Sequence, residues 1–142
     1  MSLFSTISVS ASGMSAQRER AQLLVENIAN ADTTRTAEGG PYRRRDAVFQ
    51  STPVSSPFSS VLESQMGNGV TVSNVVVDNS DPDRRYMPGH PDADADGYVS
   101  FPKVNPAEDM VDLLGASRAY QANVSAISAV KDMIQRSIDL FR

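Results

Sequence analysis

The sequence predicts a mainly α protein with a small β insert, its long N- and C-terminal helices pairing as a coiled-coil-like hairpin in an elongated subunit. Three observations predict it. Apolar residues recur every seven positions at both ends of the chain, the spacing of a helical seam. The stretch between is broken by Pro, Gly and Ser clusters with short β-branched runs, which suits strands and turns. The C-terminal pattern also outruns a globule. At 1.5 Å per residue, positions 107–142 span about 54 Å, whereas a compact chain of this length is only about 37 Å across. The expected division is therefore an N-terminal axial helix over 1–31, an irregular β-rich middle region over 32–104 and a C-terminal axial helix over 105–142.

Residues 3–30 carry the first helical pattern. Ile7, Met14, Ala21 and Ile28 form one seven-residue row, and Leu3, Ser10, Gln17 and Leu24 form the next. Serines crowd the first half, and Gly13 costs about 1 kcal/mol against alanine in a helix. This half is expected to need tertiary or quaternary contacts to form. The pattern stops at Asn27-Ile28-Ala29-Asn30-Ala31-Asp32-Thr33. Asn and Asp there compete for backbone hydrogen bonds and tolerate a left-handed turn, which ends the helix near Asn30.

In the middle region, Gly39-Gly40 marks a turn and 42–50 a strand. Arg43-Arg44-Arg45 reads as the solvated charge of a strand edge rather than as an anion site. The Ser/Pro-rich stretch 51–60 is expected to be a loop, and 61–66 is a short helix or a strand. Gly67-Asn68-Gly69 suggests a turn before a β-branched strand over 70–78. Four prolines between 81 and 103 forbid long elements, with a short strand returning over 98–101. Asp92, Asp94, Asp96 and Gly97 mimic the opening of a calcium loop, but Lys103 stands where a bidentate Glu is required and no helix flanks the loop. A solvated acidic turn is the reading adopted, and no metal site is expected.

Asn105-Pro106-Ala107-Glu108 opens the last helix, with Asn as N-cap, Pro at the first helical position and Glu at N3. Leu113, Tyr120, Ile127, Ile134 and Phe141 form its main row, and Met110, Ser117, Val124, Lys131 and Ile138 the second. The stripe is too wide for one partner helix to cover, which predicts partners. The expected packing seam thus comprises Ile7, Met14, Leu24 and Ile28 with Leu113, Tyr120, Val124, Ile127, Ile134, Ile138 and Phe141.

A net charge of −4, with no basic cluster on a helix, argues against nucleic acid and anionic membranes as partners. Absence of cysteine excludes disulfide scaffolds and thiol chemistry. No apolar run of about 18 residues predicts membrane insertion. The N-terminus lacks the basic and apolar regions of a cleavable signal, so any export is expected to use another route. His90 sits between Gly89 and Pro91 with no orienting partner evident, and no nucleophile or phosphate-loop motif is present. Neither catalysis nor a cofactor is expected.

The stretch from Asn27 to Thr33, with Asn27, Ala29, Asn30, Asp32 and Thr33, resembles the segment that ends the N-terminal helix of bacterial flagellar axial proteins, the rod and hook family. Pro41 and Tyr42, and the run Pro88-Gly89-His90-Pro91-Asp92 through Gly97-Tyr98, are similar to its proximal rod branch, as is 102–126. The resemblance implies a structural subunit of the basal-body rod in the periplasm, part of the drive shaft and export channel of a motile cell. It implies export by the flagellar type III apparatus and helical stacking with other rod proteins and copies of itself. A different axial subunit, or less plainly a small calcium-binding module, is the alternative.

Overall fold

The computed structural model describes residues 3–53 and 68–140. Helix α1 (Leu3–Ala29) leads to strands β1 (Arg45–Pro53), β2 (Asn68–Val77), β3 (Asp83–Tyr86) and β4 (Tyr98–Phe101), and helix α2 (Pro106–Asp139) ends the described chain. The strands form two separate antiparallel pairs, β1 with β2 and β3 with β4. The expected positions 54–67, including 61–66, and Phe141 lie outside the described residues.

Helix α2 has 34 residues and so runs about 51 Å. Asn105 caps it as expected, its side chain accepting from Ala107 N. In α1, poor helix formers are accommodated because their hydroxyls return to the helix backbone: Ser8 donates to Phe4 O and Ser12 to Val9 O. The helices lie antiparallel. Gly13 faces Asn123, and Arg20 is paired with Asp112 at 3.3 Å. A Cβ at Gly13 would stand 3.1 Å from Asn123 Nδ2, so glycine here permits a close helix approach that offsets its poor propensity.

Three local expectations are corrected. Helix α1 ends at Ala29, near Asn30 as expected, but no non-glycine residue has positive φ among the described residues, so the end is not left-handed. It unwinds through right-handed turns, with Asn30 N bonded to Glu26 O, Ala31 N to Ile28 O and Thr33 N to Asn30 O. Asn68 and Gly69 do not form a turn but belong to β2, paired with Pro53 and Thr52; cross-strand pairing overrides the local turn preference there, and buried Gly69 has no side chain to obstruct it. Strand β3 lay hidden because Asp-Arg-Arg-Tyr has no alternation. It is held by pairing with β4 and by guanidinium groups over rings, Arg84 at 5.2 Å from Tyr98 and Arg85 at 4.8 Å from Phe101.

In the β1–β2 ribbon the register shifts at Val48/Phe49, where Ser73 is the additional residue. Its hydroxyl donates to Val48 O and so satisfies a group the bulge would orphan. Val70 N donates to Ser12 Oγ and ties β2 to α1. Buried apolar residues fall in two places: Ala16, Leu24, Ala116 and Val130 on the helices, and Tyr42, Val99 and Phe101 in the insert.

Candidate functional site

Where α1 ends, its last buried side chain is polar. Asn27 is fully buried. Its Nδ2 donates to Arg45 O at 2.9 Å, while its Oδ1 accepts from Tyr42 Oη at 2.9 Å and from Arg45 N at 3.0 Å. One side chain thereby replaces the missing strand neighbour at the start of β1. Burial raises the Tyr42 pKa, with Arg45 opposing, which keeps the phenol a donor.

The next residue of β1's approach reaches the other helix. Arg44 Nε donates to both oxygens of Asp46 at 3.1 and 3.2 Å, and its Nη2 stands 3.0 Å from Asp109 Oδ1 in the first turn of α2. Asp109 is fully buried. Neither of its oxygens receives a well-directed hydrogen bond from the described residues, so the contact is a charge pair without good angles. Burial raises the Asp109 pKa even though Arg44 pulls it down. The basic run is therefore not a solvated strand edge throughout: Arg44 is the link from the insert to α2. Asn27, Tyr42, Arg44, Arg45 and Asp109 join both helices to the insert. Sequence reasoning missed Arg44 and Asp109, whose one available signal was an Asp at a position facing the seam.

The stretches that carry the family resemblance converge beside this junction. Thr33 O accepts from Tyr42 N, and Thr33 Oγ1 donates to Asn30 Oδ1. Thr34 Oγ1 donates to Asp92 Oδ2 at 2.8 Å, with Arg35 3.8 Å from the other oxygen. His90 Nδ1 accepts from Asp92 N, and its ring lies 6.4 Å from Phe101. Pro88 packs beside Gly97, whose φ of +79° needs glycine, and a Cβ there would stand 3.0 Å from the Tyr86 ring. Ala29, Asp32, Gly89 and Pro91 are exposed and Pro41 is half-buried. Asp94 accepts from Asp96 N and Tyr98 N and pairs with Arg84. Asp92 and Asp94 thus hold the turn and the loop, and among the described residues no three acidic or histidine groups are placed to bind a metal.

These carboxylates predict opposite responses to acid. Asp94 lies below its ordinary range because of the Tyr98 N hydrogen bond, and Asp78 because Ser80 N and Oγ donate to it. A lowered folded pKa gives stability that is present above the unfolded value, about 3.9, and lost as pH falls through the folded one. Asp109 is raised, so its contribution is complete below the unfolded value and lost as pH rises through the folded one. In an NMR titration from pH 6 to 3, the amides of the first turn of α2 should shift first, as Asp109 takes up its proton, with the Ser80, Asp96 and Tyr98 amides holding until lower pH. The reverse order would overturn this account.

The expected seam divides on inspection. On α1, Leu24 is buried and Ile7, Met14 and Ile28 are half-buried. On α2 the buried row is Asp109, Ala116 and Val130, with Asn123 between. This row lies four positions before that of Leu113, Tyr120, Ile127 and Ile134, which flanks it. Met110, Val124 and Ile138 are 54%, 43% and 56% exposed, so α1 leaves the second row uncovered. The reason is size: Gly13, Ala16 and Ala116 let the axes approach, and larger side chains are displaced outward. Beside the seam runs a largely apolar groove lined by Gln17, Ala21, Leu113, Leu114, Ser117 and Tyr120. Gln17 Oε1 is buried there without a hydrogen-bond partner among the described residues.

Residues 95–140 match the family model described as flagellar basal body rod FlgEFG protein C-terminal. Over nearly all its length the chain is similar to proteins named flagellar basal-body rod protein FlgC. The Bacillus subtilis protein is 44% identical over 150 aligned residues, covering 99% of both chains. That of Borreliella burgdorferi is 40% identical, covering 100% of this chain and 99% of the relative. That of Salmonella typhimurium is 34% identical over 99% and 98%.

Proposed function

The chain belongs to the FlgC family of flagellar basal-body rod proteins, and from that premise we propose that it is a structural subunit of the bacterial basal-body rod. Its role is mechanical rather than enzymatic. The observation that carries the reading is the uncovered surface of α2: Met110, Val111, Leu114, Val124 and Ile138 are exposed along the helix, as is Leu140 at its C-cap. Exposed apolar surface on this scale is characteristic of interaction sites. A seam shared with neighbours would bury it and complete a coiled-coil-like packing begun by α1 and α2. Heterologous contacts that do not close generate a helical tube, the arrangement a drive shaft with an export channel requires. No helix among the described residues is long and apolar enough to cross a membrane.

In this reading the axial parts are 1–31 and 105–142, the middle region 32–104 packs outside them, and the partners are other rod proteins and further copies of the chain. Export is by the flagellar type III apparatus, and the site of action is the periplasmic rod. The assembly seam is Ile7, Met14, Leu24, Ile28, Leu113, Tyr120, Val124, Ile127, Ile134, Ile138 and Phe141.

Leu114 and Val124 are exposed in the single subunit, so a charge there should leave its fold intact while burying an unpaired carboxylate in any neighbour contact. Leu114→Asp and Val124→Asp should each be synthesised at parental levels yet be missing from purified basal bodies, with swimming lost. Normal swimming in both variants would sink the reading.

A further inference from the structure

We propose that Arg44 and Asp109 are the positioning pair that fixes the axial register of α2 on α1, so that the helices meet in one of several alignments their seam would otherwise accept. Many of the buried side chains on the two helices are small, Ser5, Ser10 and Ala16 on α1 and Ala116 on α2, with Leu24 and Val130 the larger apolar ones. Small residues give shallow knobs, and the α2 row Asp109, Ala116, Asn123 and Val130 recurs every seven positions, so a slide by one heptad, about 10.5 Å, carries each of Ala116, Asn123 and Val130 to the place of the one before it. Apolar burial therefore discriminates weakly between alignments. Charge discriminates strongly. A slide sets Ala116 beside Arg44 in place of Asp109, leaving a largely buried guanidinium with Asp46 alone and removing a fully buried carboxylate from its cation. Breaking a buried pair in this way is far costlier than the pair's net worth when intact.

The geometry suits a pin rather than a clamp. Asp46 holds the Arg44 Nε on its own strand, so the guanidinium is aimed at α2 before Asp109 arrives. Arg45 beside it is anchored to α1 through Asn27. Arg44 is in effect a fixed mark carried by α1, and Asp109 is the matching mark on α2. Arg20–Asp112 agrees with the same alignment but is 36% and 40% exposed, where a pair contributes little. A single buried polar residue that sets register at a cost in stability is a known device of paired helices.

The test is a distance, which a merely stabilising role would not move. The chain has no cysteine, so spin labels at Glu19→Cys and Ser125→Cys, both exposed, report on full-length protein under conditions where circular dichroism shows the helices formed. The parent should give one interhelix distance. Asp109→Ala should add a second population displaced by about 10 Å along the axis, one heptad of rise, and Asp109→Glu should restore the single one. Leu24→Ala, which opens a cavity, should lower the unfolding midpoint and keep one distance. A single parental distance in Asp109→Ala overturns the proposal. If that variant is not helical, Asp109→Asn, which keeps the shape without the charge, decides by the same criterion.

Discussion

Asn27→Ala is expected to lower the stability of the fold by about 3–5 kcal/mol, since it orphans several buried groups at once. Tyr42 Oη and Arg45 N lose their common acceptor, and Arg45 O loses its donor. Each buried polar group left unsatisfied costs about 1–3 kcal/mol, against a net gain of only about 1 for a bond that is made. Water cannot easily substitute, because Asn27 is fully buried and Tyr42 is 9% exposed. A domain's whole stability is about 5–15 kcal/mol, so this one truncation removes roughly a fifth of it or more. Two controls separate the hub from helix propensity. Asn30→Ala removes bonds only to Glu26 O and Thr33 Oγ1 at the helix terminus and should cost under about 1 kcal/mol. Tyr42→Phe removes one of the three bonds and should cost about 1 kcal/mol. Urea midpoints measure all three, and an Asn27→Ala midpoint equal to that of Asn30→Ala would refute the hub.

That an asparagine near a helix end should matter so much was only half legible. Its place in a terminating Asn/Asp cluster was clear from the sequence, because those residues compete locally for the backbone. Its buried partners were not, because they come from residues 15 and 18 positions later. The same division runs through the fold. Both helices, the Asn105 cap and the core of β2 follow from period and local chemistry. Strand β3 does not, since its stability lies in cross-strand rings and guanidinium groups. The side chains at which α1 and α2 meet within the subunit were hidden for a related reason. Ranking positions by hydrophobicity selects Leu113, Tyr120 and Val124, whereas close helix approach selects the smallest side chains, Ala116 and Gly13, and admits Asp109 only because Arg44 is there. Pattern reasoning finds the surfaces that want to be covered. It does not find the charge pair that decides how far along each other two such surfaces stop.

Arg44→Met is expected to cost about 3 kcal/mol or more at neutral pH, because removing one member of a buried pair leaves the other charge uncompensated. The deficit should be conditional on proton concentration. Asp109 already has a raised pKa, from burial, with Arg44 the principal group lowering it; Asp46, Asp112 and Glu108 add repulsion. Deleting the guanidinium removes the opposing attraction, so in the variant Asp109 holds its proton to still higher pH. A raised folded pKa contributes stability below the unfolded value, about 3.9, and loses it as pH rises through the folded one. Measured against the parent at each pH, so that Asp78 and Asp94 cancel, the Arg44→Met deficit should shrink steadily as pH falls from 7 toward 4. Adding Asp109→Asn to Arg44→Met should regain much of the loss at pH 7 and abolish this pH dependence, since no buried ionisable group then remains in the first turn of α2, where Glu108 is exposed. A cost that is independent of pH, or unchanged by Asp109→Asn, would mean that Arg44 acts through the packing of its stem and that Asp109 stays buried without needing its cation.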